Sequence, residues 1–185
     1  MTLPPFASVE DYERVFGASD ARTDLDLDAA STVIRGFCRW HIYPVVAESV
    51  VVDGVGGSVL MLPTQHLTAV TAVTETMRGV GQPPVTLNAG DLEWSAAGMV
   101  WRGDNRCWTT RARGVSITFT HGFVDPPADL VRLVLDHANR AASNPGGMLV
   151  SNQVGQRMQQ YRAGSGSSGF LEDELAVLDA YRRRV

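Results

Sequence analysis

Apolar positions recur at intervals of three and four towards both ends of this chain and at intervals of two in its middle, a pattern that predicts helices flanking a run of strands. The stretch VIRGFCRWHIYP, Val33 to Pro44, marks the first change of period. Before it, Ser8 followed by VEDYERVF and Gly17 reads as a short helix: Ser8 can accept from the Asp11 amide, acids crowd the first turn, and Gly17 can take the left-handed closing conformation. A second helix follows the polar segment ASDARTDLDLD, with Asp24 and Asp26 as N-cap candidates. Its face of Leu27, Ala30, Ile34, Phe37, Cys38 and His41 keeps helical spacing, and Tyr43-Pro44 ends it because proline disfavours helical dihedrals at the preceding residue. Trp40 and His41 then cap the core at the helix end, since no second histidine sits at metal-ligand spacing.

From Val45 the period is two. VVAESVVVD, the turn GVGG and SVLMLP predict a hairpin. LTAVTAVTE alternates, with Leu67, Ala69, Thr71 and Val73 on one side and Thr68, Val70, Ala72 and Thr74 on the other. LEWS and MVWR predict a further hairpin around Gly98, and WTTRARGVSITFTHGF closes the sheet with Val115, Ile117 and Phe119 facing one way. Short strands joined by tight turns predict an antiparallel meander or partly closed barrel.

The helical period returns after Asp125, a good N-cap, with Pro126 and Pro127 in the first turn, and continues to Asn144-Pro145. Asp129, Arg132, Asp136 and Arg140 form its only polar stripe. A helix otherwise so apolar predicts that part of it is buried by another subunit, through Leu130, Leu133, Val134, His137 and Ala141, the alternative being complete cover by the sheet and the two earlier helices. Past Gly146-Gly147, MLVSNQVGQRMQQYRA reads as extended and polar, and GSGSSG as a flexible linker. That linker matches G-x-G-x-x-G but lacks the preceding strand and following βαβ unit of a dinucleotide site. FLEDELAVLDAYRRRV is a short amphipathic helix with acids in its first turn and arginines in its last. Marginal alone, it must dock on its own core or in a neighbour's groove.

The expected fold class is therefore α+β: a small helical bundle from 1–44 and 122–147, an inserted antiparallel β-region at 45–121, and an extended arm, linker and docking helix at 148–185. Trp40, His41 and Pro44 form one corner and His121, Gly122 and Pro127 the other, and the two should lie close together.

Composition adds exclusions. With 185 residues, 44% of them hydrophobic and 19% charged, the chain can bury one sizeable core. No run approaches the ~18 apolar residues of a membrane span. The N-terminus has neither a basic n-region nor an apolar h-region, so the chain is expected in a cytosol. All 16 basic residues are arginine, which removes Schiff-base lysine chemistry and the lysine of a phosphate-binding loop. The net charge of -4 argues against tight, sequence-independent DNA binding by the bulk surface. Cys38 and Cys107 read as buried small hydrophobes, bridged only if the fold joins them.

Asp91, Glu93, Asp104 and His121 are the titratable groups near strand ends, yet no nucleophile elbow, paired-histidine motif or glycine-rich phosphate loop accompanies them. The expectation is no catalytic, metal or cofactor site, with His121-Gly122 as a backbone-capping corner. The alternative function is nucleic-acid binding, because Trp101, Arg102, Arg106, Trp108, Arg111 and Arg113 interleave aromatics with cations over 101–113. A strand with tryptophans inward and arginines in water gives the same composition.

The strings GFCRWHIYPVV, THGFVDPPADLVRLVLDHANRAASNP, SNQVGQRMQQY and FLEDELAVLDAYRRR, in that order and spacing, resemble the head-to-tail adaptor proteins of long-tailed bacteriophages, especially those infecting actinobacteria. The resemblance covers most of the chain from about Asp24. It implies a structural protein, not an enzyme, of the virion neck at the capsid vertex, present in host cytoplasm during assembly. Such adaptors form a ring, usually dodecameric, beneath the portal protein and present a platform for a tail stopper or terminator protein. Double-stranded DNA passes through the channel without specific binding, and no membrane is involved. The resemblance also implies that the C-terminal segment, with Phe170, Leu171, Leu175, Leu178, Tyr181, Arg182, Arg183 and Arg184, reaches the portal or a neighbouring subunit. Loops 76–84 and 103–113 carry none of the pattern.

Overall fold

The computed structural model describes residues 3–79, 81–143 and 170–183, together with the backbone of two short strands between them. The chain forms two units, Met1–Arg39 with Pro126–Arg184, and Trp40–Asp125. The class is α+β, with antiparallel sheets that do not close into a barrel. Against the expected division, Trp40–Pro44 and Gly122–Asp125 go with the β unit. The reason is backbone bonding: the Phe123 amide donates to the Ile42 carbonyl at 2.7 Å and the Gly122 amide to the His66 carbonyl at 3.0 Å.

The helical unit holds α1 (Val9–Phe16), α2 (Thr23–Cys38), α3 (Ala128–Ser143) and α4 (Glu172–Tyr181). α1 starts at a reciprocal cap, the Ser8 hydroxyl accepting from the Asp11 amide at 3.1 Å and the Asp11 carboxylate from the Ser8 amide at 3.1 Å. That bonding, with Arg14 nearby, also holds the Asp11 carboxyl below its ordinary range. Asp24 and Asp26 lie in the first turn of α2 instead of capping it. The Asp20 carboxylate, which accepts from the Arg22 amide at 2.9 Å and the Thr23 hydroxyl at 3.1 Å, organises the residues before it. α2 ends earlier than the Tyr43-Pro44 signal implied, because Arg39 turns left-handed at φ 63°. His41 is therefore not on the helix face.

The core of this unit joins Phe6, Tyr12, Leu27, Ile34 and Cys38 to Leu130, Val134, Phe170 and Leu178, all buried. Burial pushes the Cys38 thiol up to about 12. The segment read as extended and polar contains a two-stranded hairpin, β8 (Ser151–Val154) with β9 (Arg157–Gln160). The expected Gly-Ser linker and the helix end at Asn144-Pro145 lie outside the described residues.

In the β unit, β1 (Val46–Val52), β7 (Val115–His121), β3 (Leu67–Thr76) and β4 (Pro84–Leu87) form one sheet in the order β1-β7-β3-β4. A second sheet has the order β2 (Val59–Met61), β6 (Met99–Arg102), β5 (Leu92–Trp94). This is not a meander. The predicted hairpin of 45–63 does not form, since β1 pairs along its whole length with β7 and β2 pairs with β6. Its glycine turn runs instead beside a later segment, the amides of Gly54 and Gly56 donating to the carbonyls of Arg111 and Thr109 at 2.8 and 3.1 Å.

The hairpin around Gly98 forms as read. Gly98 has φ 82°, and a Cβ there would lie 2.5 Å from the Thr64 carbonyl oxygen. The clean alternation of β3 is broken by two register shifts against β7. Thr68 and Thr71 consequently both donate to β7 carbonyls, at 2.9 and 3.1 Å. Leu60, Leu62, Leu67, Val73, Val100, Trp108, Val115, Ile117 and Phe119 make the core of this unit.

Candidate interaction sites

α4 is seated on its own helical unit. Phe170 and Leu178 are fully buried, and the Phe170 ring stands 4.9 Å from that of His137. Arg140 Nη2 donates to both carboxylate oxygens of Glu174, at 2.9 and 3.0 Å, and the Leu171 amide adds a bond of 2.7 Å. Tyr181 donates to the Asp129 carboxylate at 2.9 Å, and burial, with that carboxylate, pushes its phenol up to about 12. The Arg182 guanidinium lies 5.5 Å over the Phe37 ring, and the Arg183 amide donates to the Cys38 carbonyl at 3.0 Å. Phe170 and Leu178 therefore cannot offer themselves to a portal or neighbour while α4 stays in place. Leu171, Leu175, Tyr181 and Arg183 are half-buried, Arg182 is exposed, and Arg184 lies outside the described residues.

The expected subunit face of α3 is likewise covered within one chain. Leu130, Leu133 and Val134 are buried, while His137 and Ala141 are half-buried. Both α2 and α4 lie against it.

In the β unit the tryptophan and arginine segment resolves into opposite fates. Trp108 is buried, its indole donating to the Val100 carbonyl at 3.3 Å, while Trp101 is half-buried. Arg106, Arg111 and Arg113 are exposed, but Arg102 is buried, against the expectation that arginines face water. Its guanidinium bonds to Glu75 through Nη1 and to Asp104 through Nε at 3.0 Å and Nη2 at 2.7 Å. Glu75, 1% exposed, also accepts from the Thr109 amide at 2.6 Å.

Charge pairing explains this inversion: a buried guanidinium is tolerated only with its donors satisfied by carboxylates. Arg102 in turn holds the Asp104 carboxyl down at about 2, assisted by the Arg106 amide. The sequence reading missed Glu75, although its place two residues after inward Val73 was the available signal. Cys107 is exposed, not buried, because it sits on the loop that this clamp secures, and both cysteines are free.

Asp91, Leu92, Arg102 and Asp104 line a pocket of about 300 Å³ with Leu87, Asn88 and Gly103. Its one lining cation is already held by two carboxylates. Glu93 is exposed on β5. Among the described residues no group of three His, Cys, Asp or Glu could hold a metal ion, and no helix is long and apolar enough to cross a membrane.

The corner residues of the β unit converge. Trp40 packs 6.4 Å from Phe123, His41 bonds through Nε2 to the Pro44 carbonyl, and the His41 ring stands 5.4 Å edge-on to His121. The Tyr43-Pro44 bond is cis. Gly122 has φ 98°, and a Cβ on it would meet the Pro44 carbonyl at 2.7 Å. His121 bonds the Glu48 carboxylate at 3.1 Å instead of capping backbone. Sequence reasoning missed His66, whose Nδ1 donates to the Gly122 carbonyl at 3.0 Å while its ring stacks 4.0 Å from Phe123. Pro127 belongs to the helical unit, where its carbonyl accepts the Val131 amide at 3.0 Å.

The fold is shared with chains of gene transfer agent particles. A chain in the neck of an empty particle, reconstructed with C6 symmetry, matches with a TM-score of 0.61 and 19% identity, over 100% of this chain and 95% of its own. One in the neck of a native particle, with C12 symmetry, matches at 0.60 and 18% over 100% and 91%. A third, in the virion of the native particle, matches at 0.58 and 19% over 100% and 94%. No protein-family profile matches the chain, and no curated protein matches it by sequence.

Proposed function

We propose that this chain is a structural protein of the neck of a phage-like virion, a head-to-tail adaptor of long-tailed phage type. It forms a ring between the portal and a stopper or terminator protein around the DNA channel. The single observation behind this reading is that the likeness to neck chains spans both units of the protein and nearly the whole of its counterparts. A dodecamer follows by analogy with the C12 symmetry of one of those necks. In this reading the β unit is an inserted interaction module. α4 reaches the portal or a neighbour through exposed Arg182 and the half-buried Leu171, Leu175 and Tyr181. The acidic balance suits a channel through which DNA slides unbound. The protein resides in the virion neck, after a stay in host cytoplasm during assembly.

The nucleic-acid alternative loses Arg102 and Trp108 to burial and keeps only three exposed arginines in its segment. The test is electron microscopy of particles assembled with and without the protein. A ring of density between portal and tail, absent from the depleted particle, is expected. An unchanged neck, or a chain that stays monomeric and unbound with portal present, would overturn the proposal.

A further inference from the structure

We propose that the corner where the chain enters and leaves the β unit is a proton-operated latch, with His121 as its sensor. Three of the four histidines in the sequence meet there, His41 before β1, His66 before β3 and His121 at the end of β7. Each bonds a group that can only accept: the Pro44 carbonyl for His41, the Gly122 carbonyl for His66 and the Glu48 carboxylate for His121. Those acceptors fix which nitrogen carries hydrogen in each ring. His121 must hold its hydrogen on Nε2, which leaves Nδ1 as a bare lone pair.

That Nδ1 is buried in a residue 1% exposed and has no hydrogen-bond partner. As a lone pair it is tolerated, but a second proton would place an N–H and a charge there with nothing to accept it. The titratable groups facing the ring are Glu48 on β1, which favours the charge, and His41 from the incoming turn, which opposes it. His66 bonds the far side of Gly122. Burial is the largest influence on His121 and holds its ionisation below the ordinary histidine value, and His41 acts in the same direction.

The neutral ring therefore belongs to the closed corner. Stability of the closed form is full above the open-state value of about 6.5 and falls as pH drops below it, until the depressed value is reached. Relief comes by admitting water at Nδ1, which parts the Phe123–Ile42 and Gly122–His66 backbone bonds while the β1-β7 ladder beyond stays paired.

The test is nitrogen-15 NMR of the full chain from pH 7.5 to 5, reading the histidine ring tautomers and the amide hydrogen exchange of Gly122 and Phe123. An Nε2–H tautomer for His121 is expected at pH 7.5. Below about pH 6.5 the exchange of those two amides, corrected for its intrinsic pH dependence, should rise by up to tenfold per pH unit, with Ile117 and Phe119 still protected. His121→Phe should abolish the acid effect. Glu48→Gln, which removes the carboxylate that favours the charged ring, should enlarge it at pH 5. An Nδ1–H tautomer, constant protection across the range, or the same opening in a folded His121→Phe would overturn the proposal. The wild-type titration decides alone if either variant fails to fold.

Discussion

Arg140 on α3 holds both carboxylate oxygens of Glu174 on α4, at 2.9 and 3.0 Å, and the pair is largely shielded, with side-chain exposures of 24% and 9%. The carboxylate thus does two jobs, tying the last helix to the third and accepting the Leu171 amide at its own N-terminus.

Breaking that pair should release α4 before anything else in the helical unit. Arg140→Leu strands a buried carboxylate, a loss of about 3 kcal/mol. Hydrogen exchange should show residues 172–181 losing protection while the amides of α3 keep theirs.

Leu130 is completely buried within a single chain, which separates folding from assembly. Leu130→Ala should lower the unfolding free energy of the monomer by about 2–5 kcal/mol. Urea titration at a concentration where the chain is monomeric checks this, and a pure subunit-contact residue would leave that curve unmoved.

The clamp on the 103–110 loop should fail from its inner end. Glu75→Ala leaves the Arg102 guanidinium buried with a partner missing, and about 3–5 kcal/mol of stability should go with it, read as a large drop in Tm. Asp104, at the outer end, is governed by pH. Its carboxyl is held at about 2 against an ordinary 3.8, so its contribution is present above the ordinary value and lost as pH falls through about 2. The Tm of Asp104→Asn should lie below that of the parent above pH 4 and meet it near pH 2, by a small margin because the group is solvated.

The exposed arginines should not make this a DNA-binding protein. Anisotropy of a labelled duplex between 50 and 200 mM salt should show no binding by the parent chain, and replacing Arg106, Arg111 and Arg113 by serine should change nothing, where phosphate binding would weaken steeply with salt.

Local chemistry was the most readable part of the sequence. The Ser8 cap, the Gly17 stop, the Gly98 hairpin and the inward file of β7 each depend on residues within a few positions of one another, so their signals survive in one dimension. Pairing was not readable in the same way. Nothing local says that Val50 should face Ile117 and not the strand just past the glycine turn. Burial of charge was hidden for the same reason: Glu75 and Arg102 look like surface residues until the fold sets one against the other. The apolar girth of α3 was visible, but the identity of its cover was not, because a C-terminal helix and a neighbouring subunit offer the same leucines.

β7 is the last strand of its unit to be made, yet it lies between β1 and β3 in the sheet. During synthesis those two earlier strands have no partner for their facing edges until β7 follows, and their pairing is complete only with His121, the residue that both Val46 and Leu67 face. The unit therefore closes in one late step, and a chain stalled or truncated before that point carries two unpaired strand edges ready to join another copy. Truncation near Gly114 should yield aggregates, not a smaller folded domain.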